Sequence, residues 1–139
     1  MGMTIAEKIL AKKSGRDRVA AGDLVTVSVD TVVLFDNNFM PSIWQDMLKM
    51  EYPERVVVIL DHRVPAPTIQ SAAAHRTARK FVEKFAIARF HDVGGTQGIC
   101  HHVVADQGYA LPGTVLVCSD SHTCSAGAFN CIARGVGGP

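Results

Sequence analysis

Nothing in the sequence approaches the roughly 18–20 consecutive apolar residues of a membrane span, so no transmembrane helix is expected. Excess charge of either sign is also lacking: 14 Lys and Arg oppose 13 Asp and Glu, for a net charge of +1. So even a balance excludes the electrostatic footprint of a nucleic-acid or anionic-membrane binder. Cysteine is sparse. Cys100, Cys118, Cys124 and Cys131 form no Cys-x-x-Cys pair, which excludes a zinc ribbon and a thioredoxin-type dithiol. The first residues, MGMTIAEKILAKK, hold no uninterrupted apolar stretch of the secretory kind, and Ala6 stands where a myristoylation motif needs Ser or Thr. The expectation is a cytoplasmic chain with reduced thiols. No repeat or low-complexity tract interrupts it.

What is present is a chain able to bury a core. Its 139 residues are 47% apolar, enough for one ordinary domain, residues 1–139. Thr4-Ile5-Ala6-Glu7 fits a capping box, and a helix is expected from Ile5 to Lys13, ending at Gly15. Leu24–Asp30 alternates Val25, Val27 and Val29 with polar residues and reads as a strand, which Thr31–Leu34 either extends or leaves for a loop. Pro41 suits the first turn of a helix continuing through Ser42–Met50. Arg55–Leu60 is nearly pure aliphatic, as in a strand covered on both faces. The longest helix is expected at Thr68–Phe85, with an apolar stripe through Ala72, Ala73, Phe81, Val82 and Phe85 and a solvated His75. Ile87–Phe90 reads as a strand, His91–Gln97 as a loop, Val103–Gln107 as a short helix, Val115–Val117 as a buried strand, and Ser125–Arg134 as a helix. Helices alternating with aliphatic strands imply an α/β layer, a mostly parallel sheet flanked by helices.

Three polar clusters fall at strand ends or in glycine-containing loops: Asp61-His62, His101-His102, and Ser119–Thr123. In a parallel sheet, groups following the strands emerge along one edge, where ligands bind. Imidazoles beside carboxylates make acid–base pairs, suited to adding or removing water or to holding a metal. Taken singly, each also has an ordinary role. Asp61 could cap a turn, His62 could be a loop residue, one of His101 and His102 a bystander, and Asp120 and Ser121 helix-start residues.

Together the motifs DHRVPAPT, GICHHVVADQGYALPG and SDSHTCSAGAF, followed by GVGG, resemble the aconitase superfamily, in the branch of 3-isopropylmalate dehydratase and homoaconitase large subunits. The resemblance spans nearly the whole chain. It implies an aconitase domain 1-like fold and a hydro-lyase that dehydrates and rehydrates a 2-hydroxy di- or tricarboxylic acid. It implies a [4Fe–4S] cluster in the intact enzyme, with cysteine ligands that are not in this chain, and a small swivel-domain subunit as partner. Asp61 and His62 match the family's Asp-His pair, the histidine protonating the departing hydroxyl. His101 matches a histidine that pairs with Asp120, and His122 one lining the site near the cluster. Ser121 matches a substrate contact, and Asp36 and Thr123 are expected to touch substrate as well. Where relatives carry Gln or His before the acid, this chain has Phe35-Asp36. None of its arginines sits in a recognisable substrate motif. The resemblance further implies that the chain is the N-terminal part of a large subunit. Two other readings stand beside it: a mononuclear zinc hydrolase using His62, His101 and His122, and a non-catalytic assembly module. Within the family, homocitrate, dimethylmalate and citraconate or maleate chemistry remain open alongside isopropylmalate.

Overall fold

The computed structural model describes residues 2–40 and 46–137. Helix α1, Ile5–Ser14, begins as its capping box dictates: Thr4 Oγ1 accepts the Glu7 N–H at 3.2 Å, and the Glu7 carboxylate accepts the Thr4 N–H at 2.7 Å. It ends at Gly15, which turns left-handed at φ 69°.

The body is one parallel sheet of five strands: β1 Thr31–Phe35, β2 Val56–Ile59, β3 Arg89–His91, β4 Val115–Cys118 and β5 Ile132–Gly135. Their spatial order is β3-β2-β1-β4-β5. Helix α2, Ile69–Lys84, connects β2 to β3, and helix α3, Cys100–Asp106, connects β3 to β4. The pleat sends alternate side chains to opposite faces. Val56, Val58 and Leu60 pack with Ala74, Ala78, Phe81 and Phe85 on the α2 face. Val33, Phe35, Val57 and Ile59 pack with Cys100, Val103, Val104 and Ala126 on the α3 face. All four residues of β2 are buried, which is why its run is aliphatic throughout.

The chain thus leaves the central β1 in one direction through β2 and β3, then crosses back to build β4 and β5 on the other side. This reversal is a topological switch point between β1 and β4, the place beyond the strand ends where open α/β sheets bind ligands.

Several expectations are corrected. Leu24–Val29 is not a strand; it runs outside the sheet, with Leu24 exposed and no residue of the segment buried. Its alternation reflects one side touching the protein surface, and the sheet begins only at Thr31. Asp30 marks the entry, its carboxylate accepting the Val115 N–H at 2.8 Å and pairing with Lys13 at 2.5 Å. Of the expected helix Ser42–Met50, residues 42–45 lie outside the described residues and Met47–Met50 are not helical. Ser125–Arg134 is not a helix. A 3₁₀ turn spans Thr123–Phe129, Asn130 turns left-handed at φ 60°, and β5 follows as an edge strand. In α2 the buried stripe is Ser71, Ala74, His75, Ala78 and Phe81, so Ala72 and Ala73 face outward and His75 does not.

Candidate active site

Five of the eight residues singled out in the sequence meet around one carboxylate. Asp120 follows β4, and the close approach of β5 behind it depends on Gly135: a Cβ there would lie 2.8 Å from the Asp120 carbonyl oxygen. Asp120 Oδ1 accepts a hydrogen bond from His101 Nε2 at 2.7 Å and from the His122 N–H at 2.7 Å. Its Oδ2 lies 3.2 Å from His62 Nε2. Burial alone would push this carboxyl up. The His122 N–H, the His101 hydrogen bond and the nearby imidazoles outweigh it and hold Asp120 at about 2. An ionised carboxylate only accepts, so the proton of His101 sits on Nε2.

His62 reaches this centre from β2, two strands and about 10 Å away. Its ring crosses over the intervening end of β1 and stacks on Phe35, centroids 4.5 Å apart and planes 29° apart. At its other nitrogen, Nδ1, stands Asp61 Oδ1 at 3.3 Å. The imidazole is therefore flanked by two carboxylates, and an imidazolium there faces an acceptor at each nitrogen. Asp61 does more than face the ring. Its Oδ2 accepts the Cys100 N–H at 2.6 Å and so starts α3, which carries His101. This is why the helix begins at Cys100 and not at Val103.

Asp36 and Thr123 lie buried beneath these groups. Asp36 is fully buried, and its oxygens accept the His62 N–H at 3.2 Å and the Arg63 N–H at 2.6 Å. It pins the loop that presents His62. His75, expected to be solvated, is buried behind it; its Nε2 lies 3.8 Å from Asp36 Oδ2 and has no hydrogen-bond partner among the described residues. Thr123 is also fully buried, its hydroxyl donating to the Asp120 carbonyl at 2.5 Å. Both lie beneath the site and hold its backbone in place. Ser121 is exposed at the rim, as is His122, whose side chain is 80% exposed. His102 points away from Asp120 and lines a separate groove beside the Gly95–Ile99 loop. His91, expected in a loop, closes β3 and is buried against Thr96 and Tyr109.

Sequence reasoning assigned Arg134 and Gly135 no individual role, placed Ser119 only within the cluster 119–123, and marked Phe35 only as a departure from relatives. Ser119 accepts from Asn38 Nδ2 at 2.6 Å, and a cavity of about 370 Å³ beside Asp120 is lined by Ser119, Ser121, Cys124, Arg134 and Gly135. The tightly packed glycine had a signal in the GVGG motif; the platform role of Phe35 had none locally.

His101, Asp120 and His122 each bring a ligand atom within 4.8 Å of the others, a donor set able to hold one cation. An iron–sulfur cluster asks for thiolates, and the thiols here do not fit one. Cys100, Cys118 and Cys131 are buried, and desolvation pushes each thiol up; only Cys124 is exposed among the four.

A carboxylate that meets two imidazoles at the switch point of an all-parallel sheet defines an α/β fold carrying its polar groups beyond the strand ends. The chain belongs to the aconitase family: residues 7–139 match the model of the Aconitase family (aconitate hydratase). It is 53% identical over 137 residues to the 3-isopropylmalate dehydratase large subunit of Mycolicibacterium smegmatis, covering 99% of this chain and 32% of that protein. It is 42% identical over 144 residues to a probable 3-isopropylmalate dehydratase large subunit of Methanothermobacter thermautotrophicus, covering 99% and 33%. It is 41% identical over 140 residues to the homoaconitase large subunit of Thermus thermophilus, covering 99% and 32%. The chain thus spans about a third of the length of these relatives. Among the described residues, no helix is long and apolar enough to cross a membrane.

Proposed function

We propose that this chain supplies the proton-donating side of a hydro-lyase site, in an enzyme that dehydrates and rehydrates a small 2-hydroxy di- or tricarboxylic acid of the 3-isopropylmalate type. The observation that carries this reading is the His62 imidazole held between Asp61 and Asp120, at 3.3 and 3.2 Å.

Breaking a carbon–oxygen bond requires that the leaving hydroxide be neutralised. His62 gives its Nε2 proton to the departing hydroxyl, which leaves as water, and Asp61 stabilises the ring from Nδ1. Asp120 and Phe35 fix the ring's position, so proton transfer is not delayed by reorientation. The proton on the neighbouring carbon goes to a base outside these residues, and the electron pair it leaves forms the double bond. In the reverse direction His62 takes a proton from water as it adds. His101, held by Asp120, and the exposed Ser121 and His122 face the substrate from the β4 side.

The proposal includes a [4Fe–4S] cluster whose cysteine ligands lie outside this chain, a small swivel-domain subunit, and a cytoplasmic enzyme. Homocitrate and dimethylmalate are the nearest alternative substrates. The test is turnover by the large subunit containing these residues, assembled with its small subunit, on 3-isopropylmalate, homocitrate and dimethylmalate. Dehydration of one of them, lost in His62→Gln, is expected. Turnover that survives His62→Gln within about twofold would end the reading. A second reading is favoured by the compact His101–Asp120–His122 set: a divalent cation held there for hydrolysis. Stoichiometric zinc in the purified chain would favour it over the first.

A further inference from the structure

The cavity beside Asp120 has a cationic wall that the proposed proton chemistry leaves unused. Its lining brings together the ends of β4 and β5: Ser119, Asp120 and Ser121 from one, Arg134 through Gly137 from the other, with Cys124 between them. Its volume of about 370 Å³ exceeds that of a small hydroxy acid. Arg134 belongs to the exposed edge strand β5, and its guanidinium makes no hydrogen bond or ion pair among the described residues.

The other donors point the same way. Asn38 Nδ2 donates to Ser119 Oγ at 2.6 Å, so the serine's own proton is free for another acceptor. Among the described residues, Ser121 Oγ has only a long contact of 3.4 Å to His122 Nδ1. The one anionic wall group, Asp120, already accepts from His101 and the His122 N–H and faces His62. Its oxygens are thereby turned toward these donors, and Arg134 is the cation of the wall. A planar guanidinium with two hydroxyls around it matches a carboxylate, which accepts in the plane at both oxygens.

We propose that this cavity binds a carboxylate of the substrate acid, gripped by the Arg134 guanidinium with the Ser119 and Ser121 hydroxyls. The inference rests on the hydro-lyase reading for the identity of the acid, and it makes Arg134 a binding residue that fixes which end of the acid faces His62. Gly135 contributes by its small size: it lets β5 close against the Asp120 backbone and so brings the Arg134 strand to the rim.

The experiment compares wild type, Arg134→Met and Arg134→Lys in the large subunit assembled with its small subunit, by steady-state dehydration of 3-isopropylmalate. Losing a charge-assisted contact should raise KM about 10- to 100-fold in Arg134→Met, with kcat within about threefold and partial recovery in Arg134→Lys. An unchanged KM in Arg134→Met, whatever kcat does, overturns the proposal. Should the wild type turn over none of the hydroxy acids, the hydro-lyase reading fails separately. Malonate added to the 139-residue chain then decides the carboxylate site by itself. Amide shifts at residues 119–121 and 134–137 that vanish in Arg134→Met support it, and no shifts at those positions overturn it.

Discussion

Replacing Asp120 with asparagine keeps the shape of the side chain and removes its charge. In the folded chain this carboxyl sits at about 2, against an ordinary 3.8. That difference of nearly two units corresponds to roughly 2 kcal/mol of stabilisation for the ionised form. The carboxyl lies just beneath the surface, so solvent screening discounts part of it and the figure is an upper bound. The sign follows from the depressed value. The contribution is fully present above the unfolded value near 4 and is lost as pH falls through the folded value near 2. The substituted amide would also turn an N–H₂ toward His101 or His62, donor against donor. Urea denaturation of the 139-residue chain, followed by circular dichroism from pH 2 to 7, reads both effects. Asp120→Asn should lose about 1–2 kcal/mol at pH 7, and its deficit should shrink between pH 4 and pH 2. A variant as stable as wild type at pH 7, or a deficit unchanged across that window, would refute the reasoning.

Three further outcomes follow from the same geometry. Gly135→Ala places a Cβ 2.8 Å from the Asp120 carbonyl; it should cost about 1–3 kcal/mol in thermal or urea unfolding and shift the His101 and His122 resonances. Phe35→Leu keeps an apolar contact but loses the ring stacked 4.5 Å from His62; about 0.5–1.5 kcal/mol of stacking should go, and the His62 ring protons should move downfield as the aromatic ring current disappears. Anaerobic iron–sulfur reconstitution of the 139-residue chain alone should leave no stable visible charge-transfer absorbance and no turnover of isopropylmalate, because the buried thiols of Cys100, Cys118 and Cys131 stay protonated.

The parts legible in the sequence were those carried by local signals. The capping box of Thr4 and Glu7, the aliphatic run of β2 and the polar switch after Val115–Cys118 each act within a few residues. The clusters Asp61-His62 and Ser119–Thr123 were visible because both follow such strands, and the pairing of His101 with Asp120 came with the family resemblance. What stayed hidden depends on distant partners. Asp36 looks like any acid after a strand; only the fold brings the His62 and Arg63 N–H groups onto it across 26 residues or more. The burial of His75 follows from a helix face rotated by about one residue, through Ser71, Ala74 and Ala78, which small residues left ambiguous. The edge strand β5 was hidden because Ala133, Arg134 and Gly135 carry little strand preference. Its pairing with β4 comes from the register Val115 to Ile132 and from the glycine that permits close approach. Leu24–Val29 failed in the opposite sense: its alternation is genuine, but it has no neighbouring strand to pair with.

The central claim, that Asp120 gathers imidazoles from the loop after β2 and from helix α3 into one acid–base group, is tested most directly by a long-range ¹H–¹⁵N spectrum of the histidine rings at neutral pH. A His101 proton fixed on Nε2 in the wild type, and released in Asp120→Asn together with a shift of the His62 ring nitrogens, is the predicted result. A His101 proton on Nδ1, or His62 nitrogens indifferent to Asp120→Asn, would contradict it.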